Sequence, residues 1–270
     1  MALIQCQFTS ASLRVQTSIF VVIPTITYSE VAAGQKDMYE AGTKFQTLYL
    51  LHGYSQDQSC WLRYSNIERY AVENRLAVVM PAAEHSFYTD MAHGNRYWTY
   101  VSEELPQVAR ALFPLSDKRE DNFVAGLSMG GYGAFKVALR NPEKFAAAAS
   151  LSGALDIVKI VESPKSTNMV KSELSDVFGD LARVKGSEND LFHLAEKLRT
   201  ENTDVPKLFQ CCGTEDFLYQ DNVRFRNHIE HLGLELTYME GPGEHDWNFW
   251  DEYIKRVIEW FPLKRQPLYE

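Results

Sequence analysis

The chain has 270 residues, of which 45% are hydrophobic and 23% charged, with a formal charge of −9. Such a composition belongs to an ordinary globular protein and excludes disordered, collagen-like and membrane-embedded classes, and the length suits a single domain with an insertion. The acidic excess is spread along the chain rather than gathered in a tail, which argues against nucleic acid and anionic membrane surfaces as partners.

In chain order, the stretch from Leu13 to Ile23 is β-branched with partial alternation and predicts antiparallel strands at a sheet edge. No basic segment followed by an apolar stretch precedes it. The longest early apolar run, 18–26, contains Pro24 and is far shorter than the ~20 residues that span a bilayer, so a cytoplasmic location is expected. A polar loop with Gly34 and Gly42 follows. Apolar runs at 47–51 (TLYLL), 76–80 (LAVVM), 122–127 (NFVAGL), 145–151 (FAAAASL) and 207–212 (KLFQCC) then predict strands buried on both faces of a mostly parallel sheet.

Between the runs, apolar residues spaced by three and four predict helices over Ile67–Glu73, Glu103–Phe113, Gly130–Arg140, Asn222–Leu232 and Asp246–Trp260. This β-then-α order gives an α/β class: a doubly wound, mostly parallel sheet with antiparallel N-terminal strands. Residues 154–204 break the rhythm. Two helical patterns there, Lys171–Phe178 and Asp190–Leu198, mark a cap-like insertion over the active site within a single 1–270 domain.

Gly126-Leu127-Ser128-Met129-Gly130 joins an apolar strand to a helix, the context in which G-x-S-x-G forms a nucleophile elbow and so indicates an α/β-hydrolase. Ser128 is the candidate nucleophile, with the helix N-terminus behind it favouring negative charge. In this fold the triad runs Ser, then Asp or Glu, then His, each on a loop after a strand. His245, in the Gly/Pro-rich loop after 234–240, meets that order, and Asp216 follows the KLFQCC strand. For the acid, Asp216 is preferred over Glu215, Asp221, Asp246 and Asp156; Asp246 is better suited to cap the last helix. The loop His52-Gly53-Tyr54 lies where an oxyanion-hole amide is supplied, which nominates the N–H groups of Tyr54 and Met129, with Gly53 as a further donor. His52 is expected to be a hydrogen-bonded structural residue.

The four cysteines, Cys6, Cys60, Cys211 and Cys212, show neither a CxxC pair nor zinc spacing, so free thiols and no metal site are expected. Cys60, close to the oxyanion loop, raises thiol sensitivity as a question. Trp61, Phe87, Tyr88 and Trp98 are candidate walls of an acyl or alcohol pocket, with core packing as the alternative for each.

LYLLHGYSQDQSCWLRYSNIERY at 48–70, VVMPAAEHSFYTD at 78–90, ELPQVARALFP at 104–114, FVAGLSMGGYGAFKVAL at 123–139, CGTEDFLY at 212–219 and GEHDWNFW at 243–250 together resemble the esterase D-like esterases. Within that family the chain is most similar to the bacterial tributyrin esterases. The resemblance implies hydrolysis of short-chain acyl esters without a cofactor, a triad on Ser128, Asp216 and His245, and a homo-oligomer acting on a small-molecule ester. The same family includes S-formylglutathione hydrolases and secreted acyltransferases, so the acyl acceptor stays open.

Overall fold

Each uninterrupted apolar run becomes a strand whose side chains enter a core on either face. The computed structural model describes residues 1–34, 42–163, 168–201 and 204–264. Its strands are β1 (Ala2–Ser10), β2 (Val15–Ile23), β3 (Thr47–Leu51), β4 (Ala77–Pro81), β5 (Asn122–Leu127), β6 (Ala147–Leu151), β7 (Lys207–Gly213) and β8 (Leu236–Gly241). Its helices are α1 (Tyr28–Ala32), α2 (Cys60–Tyr64), α3 (Ile67–Glu73), α4 (Tyr97–Thr99), α5 (Leu105–Leu112), α6 (Met129–Arg140), α7 (Ile157–Glu162), α8 (Asn168–Phe178), α9 (Leu191–Thr200), α10 (Tyr219–His231) and α11 (Trp247–Trp260).

The strands form one eight-stranded sheet in the order β1-β2-β4-β3-β5-β6-β7-β8. β1 and β2 are antiparallel to each other and β2 to β4, and every pairing from β4 onward is parallel. Alternation splits each strand between two cores: Leu48 and Leu50 pack with α2, α3 and α11, while Tyr49 and Leu51 pack with α5, α6 and the insertion. This is the expected doubly wound α/β-hydrolase sheet. No helix among the described residues is long and apolar enough to cross a membrane.

β1 escaped the sequence reading. Its residues alternate between half-buried and exposed, with Gln5 and Gln7 on the open side, so an edge strand with one partly covered face shows only a weak apolar signal. Residues 35–41, inside the predicted polar loop, lie outside the described residues, as do 164–167 and 202–203 of the insertion. The rest of the insertion carries α7, α8, a 3₁₀ turn at Leu181–Arg183 and α9, which lies against α6 and α10. α7 was not anticipated; it is a short helix started by the Asp156 carboxylate, which accepts from the Lys159 N–H.

One buried cation ties the insertion to α6. Lys136 is fully buried and donates to Tyr88 O, Thr89 Oγ1 and Asn189 Oδ1. Burial, with Arg140 nearby adding repulsion, holds its pKa well below the usual lysine value. An unfolded chain therefore binds the proton more tightly than the folded one, and this lysine's contribution to stability rises with pH up to the ordinary value of about 10.4. Lys136→Met removes the donor shared by the three acceptors; Thr89 Oγ1 still donates to Phe87 O and Asn189 is half-buried, so the main loss is at the buried Tyr88 O, about 1–3 kcal/mol for a buried unsatisfied group. Chemical denaturation is expected to show the variant less stable, with the wild-type advantage widening as pH rises from neutral to 10.

Candidate active site

The turn after β5 is fixed by what a side chain would collide with. Ser128 has φ +54° and ψ −118°, a positive φ that few non-glycine residues adopt. A Cβ on Gly126 would lie 2.4 Å from the backbone of Gly130, and one on Gly130 would lie 2.5 Å from Leu51 O. Only hydrogen fits at either position, which is why the two glycines flank the serine. The turn is held by Ser128 N–H to Leu151 O (2.9 Å) and by Ala154 N–H to Ser128 O (3.1 Å).

The acid and histidine loops are joined to one another before either meets the serine. Thr214 N–H donates to Gly241 O, Glu215 N–H to Gly243 O, and Gly243 N–H to the Glu215 carboxylate. Gly213 and Gly243 approach so closely that a Cβ on Gly213 would sit 2.1 Å from Gly243 O. From below, Gln210 of β7 donates to Asn222, which donates in turn to Gly153 O and Leu218 O. The result is a hydrogen-bonded line: Ser128 Oγ to His245 Nε2 at 3.0 Å, and His245 Nδ1 to Asp216 Oδ2 at 2.8 Å.

The Asp216 side chain is wholly buried, whereas the His245 ring keeps 17% of its surface open, enough for a reactant to touch it. Burial pushes the Asp216 carboxyl upward, but the hydrogen bond and charge of His245 and the Leu218 N–H outweigh it and hold the pKa below the usual value. Asp216 therefore stays ionised and fixes Nδ1–H on itself, leaving Nε2 free to accept from Ser128. The rival acids have other partners. Asp156 caps α7 and pairs with Arg224, Asp221 meets Lys159 and Arg224, Glu215 binds the Gly243 amide, and Asp246 caps α11 through Phe249 N–H.

The oxyanion loop is oriented by His52. Its Nε2 accepts from Ala83 N–H (2.8 Å), so Nδ1 carries the proton and donates to Gly53 O (2.7 Å). Burial lowers its pKa and keeps the ring neutral. Met129 begins α6 directly after Ser128, so its N–H has no intrahelical acceptor. Gly53 is the exception among the nominated donors: its N–H is taken by Gln56 Oε1 at 3.0 Å.

Residues 36–260 match the family model described as "Putative esterase". The chain belongs to this esterase family. The esterase is 37% identical over 264 residues to an acetyl esterase of Caldicellulosiruptor saccharolyticus, covering 96% of this chain and 98% of the relative. Among solved structures it resembles FphF, a fluorophosphonate-binding serine hydrolase of Staphylococcus aureus, with TM-score 0.86 and 37% identity. It also resembles the S-formylglutathione hydrolase FrmB of the same organism, with TM-score 0.83 and 38% identity; both alignments cover 96% of this chain and 98% of the other. Carboxylic ester hydrolysis is thus the activity of the family and fold in hand.

A cleft of about 940 Å³ opens beside the oxyanion loop, between α2, the Glu84–His85 turn and α8. Tyr54, Tyr64 and Trp247 supply aromatic walls, and Asp57, Glu84, Glu173 and Asp176 supply carboxylates against the single guanidinium of Arg63. Tyr54 stacks on His85 with centroids 4.2 Å apart and donates its hydroxyl to Glu173 Oε2 at 2.5 Å. Burial and that carboxylate push the Tyr54 phenol up to about 12.

None of the four aromatics nominated from sequence lines this cleft. Trp61 is in the core, donating to Leu51 O and standing edge-on to Trp247. Tyr88 is fully buried, its hydroxyl donating to His52 O. Phe87 packs on Tyr54, Tyr132 and Phe178, and Trp98 stacks under the Arg140 guanidinium. Cys60 does line the cleft, yet its thiol is buried and burial pushes its pKa up, the opposite of what a reactive thiolate needs. Tyr64, Trp247 and Glu173 were missed because each lies on an amphipathic helix pattern, where a residue facing the cleft looks like any other.

The geometry of the turn sets a clear test. Gly130→Ala forces a methyl group against the carbonyl end of β3, where no flexible side chain can yield. A stability loss of about 3 kcal/mol is expected by thermal or urea denaturation, together with loss of ester hydrolysis.

Proposed function

We propose that this esterase hydrolyses short-chain acyl esters of small neutral alcohols through an acyl-enzyme on Ser128, with His245 as the proton carrier and Asp216 as its orienting anion. The observation that carries the reading is the continuous Asp216–His245–Ser128 line at 2.8 and 3.0 Å, with the serine raised on its strained turn. His245 Nε2 takes the Ser128 proton as Oγ attacks the ester carbonyl, and the imidazolium formed is stabilised by Asp216. The developing oxyanion accepts from the N–H groups of Tyr54 and Met129; losing one such donor typically costs about 3–4 kcal/mol in the barrier. Collapse expels the alcohol, which takes the proton from His245. Water then repeats the sequence and releases the acid.

The acetyl esterase relative supports a short acyl group, with tributyrin-type glycerides as suitable reporters. Similarity to an S-formylglutathione hydrolase supports a second reading, a thioester substrate attacked by the same three residues. The cleft weighs against that second reading, because four carboxylates and one guanidinium repel the carboxylates of a glutathionyl group. The four free thiols support a reducing, cytoplasmic setting for the enzyme.

Hydrolysis of p-nitrophenyl esters from acetate to palmitate tests the reading. A preference for the short esters is expected, with Ser128→Ala reducing turnover on the order of 10⁴-fold or more. Near-equal rates of wild type and variant, or S-formylglutathione cleaved far faster than any oxygen ester, would overturn it. A parallel pair separates the acids: Asp216→Asn is expected to lower kcat by about 10⁴-fold, whereas Asp156→Asn, which keeps the helix-capping oxygen and removes only the charge paired with Arg224, keeps kcat within a few-fold of wild type.

A further inference from the structure

His245 lies between two aromatic rings that differ sharply in exposure. Trp250, 4% exposed, stands edge-on to the imidazole with centroids 4.9 Å apart and belongs to the core. Phe217 is 76% exposed, yet its ring centroid is only 4.5 Å from that of His245. The outward direction of Phe217 is set by its turn. Asp216 and Leu218 on either side point inward and are buried, and the backbone is held by Leu218 N–H to Asp216 Oδ1 and Tyr219 N–H to Asp216 O. Phe217 is held against the imidazole with most of its ring open, so a molecule that approaches His245 from that side meets an apolar face.

We propose that Phe217 forms the wall of a leaving-group subsite that favours esters of apolar, ring-bearing alcohols. The inference rests on the reading of His245 as the group that protonates the departing alcohol. That step puts the leaving oxygen within hydrogen-bond reach of Nε2, so the carbon attached to it emerges alongside the imidazole and across the Phe217 face. The acyl group is held elsewhere, bonded to Ser128 Oγ with its oxygen turned to the Tyr54 and Met129 amides. Phe217 therefore meets the alcohol half of the ester. A benzyl group stacked or tilted on this ring buries apolar surface on both partners, whereas an ethyl group is too short to cover it.

The test compares two ratios in wild type and Phe217→Ala. The first is kcat/KM for benzyl acetate over ethyl acetate, which varies only the alcohol; the second is ethyl hexanoate over ethyl acetate, which varies only the acyl chain. The alcohol ratio is expected to fall about tenfold, mostly through KM, while the acyl ratio holds. Phe217→Leu, which keeps an apolar side chain, is expected to restore part of the alcohol ratio. An alcohol ratio that does not move, including an equal loss on both acetates as a merely structural support of His245 would give, overturns the proposal. So does a fall in the acyl ratio instead. Failure of the parent reading is seen separately, as turnover that survives Ser128→Ala.

Discussion

The close approach of three backbone segments around Ser128 is the constraint on which the site depends. The end of β3, the Gly126 carbonyl region of β5 and the first turn of α6 meet at distances that admit no Cβ at Gly126 or Gly130. Strain at Ser128, the cost of its positive φ, is held by the hydrogen bonds to Leu151 and Ala154 and by the parallel pairing of β5 with β3 and β6. The same contact brings the His52–Tyr54 loop to the serine, since that loop is the direct continuation of the strand that Gly130 touches. Ser128 and the loop that carries the candidate oxyanion donor Tyr54 are thus placed by one packing event rather than by two independent ones.

Electrostatics then assigns each polar group a fixed state. His52 is neutral by burial, with its tautomer set by Ala83 and Gly53, so it shapes the loop without competing as a base. His245 differs in having a buried anion on one nitrogen and a hydroxyl on the other, with part of its ring open. The two histidines are told apart by their partners: main-chain groups for His52, a carboxylate and a hydroxyl for His245, the candidate base. Beyond them, the acidic cleft and the exposed Phe217 divide the surroundings into a polar side by the oxyanion loop and an apolar side by His245.

The insertion is bound into this arrangement at two levels. Deep in the molecule, Asn189 accepts from Lys136 and Tyr132 donates to Asn189 O, fixing the approach to α9 against the nucleophile helix. Nearer the surface, Glu173 of α8 accepts from Tyr54, whose own N–H is a nominated oxyanion donor. The shape of the cleft is therefore coupled to the loop that borders the serine.

The sequence by itself determined the parallel core and the strand-to-helix elbow, and it nominated Ser128, Asp216 and His245 in the chain order that this fold uses. These are local or nearly local properties: continuous apolar runs require burial on both faces, and a serine between two glycines at a strand-to-helix junction requires one backbone shape. Asp246 as a helix cap was legible for the same reason, since its partner, the Phe249 N–H, lies a turn further on in the same helix, whereas His52 is held by Ala83 from a distant loop. Only the tertiary structure decided which acid meets His245: of the five candidates it brings Asp216 onto Nδ1, while Glu215, Asp221, Asp246 and Asp156 are engaged by other groups. It also decided that Trp61 and Tyr88 are packed away while Tyr64 and Trp247 line the cleft and Phe217 lies beside His245. An aromatic residue has the same hydrophobic signature in a core as in a cleft, and its neighbours there come from segments far apart in the chain.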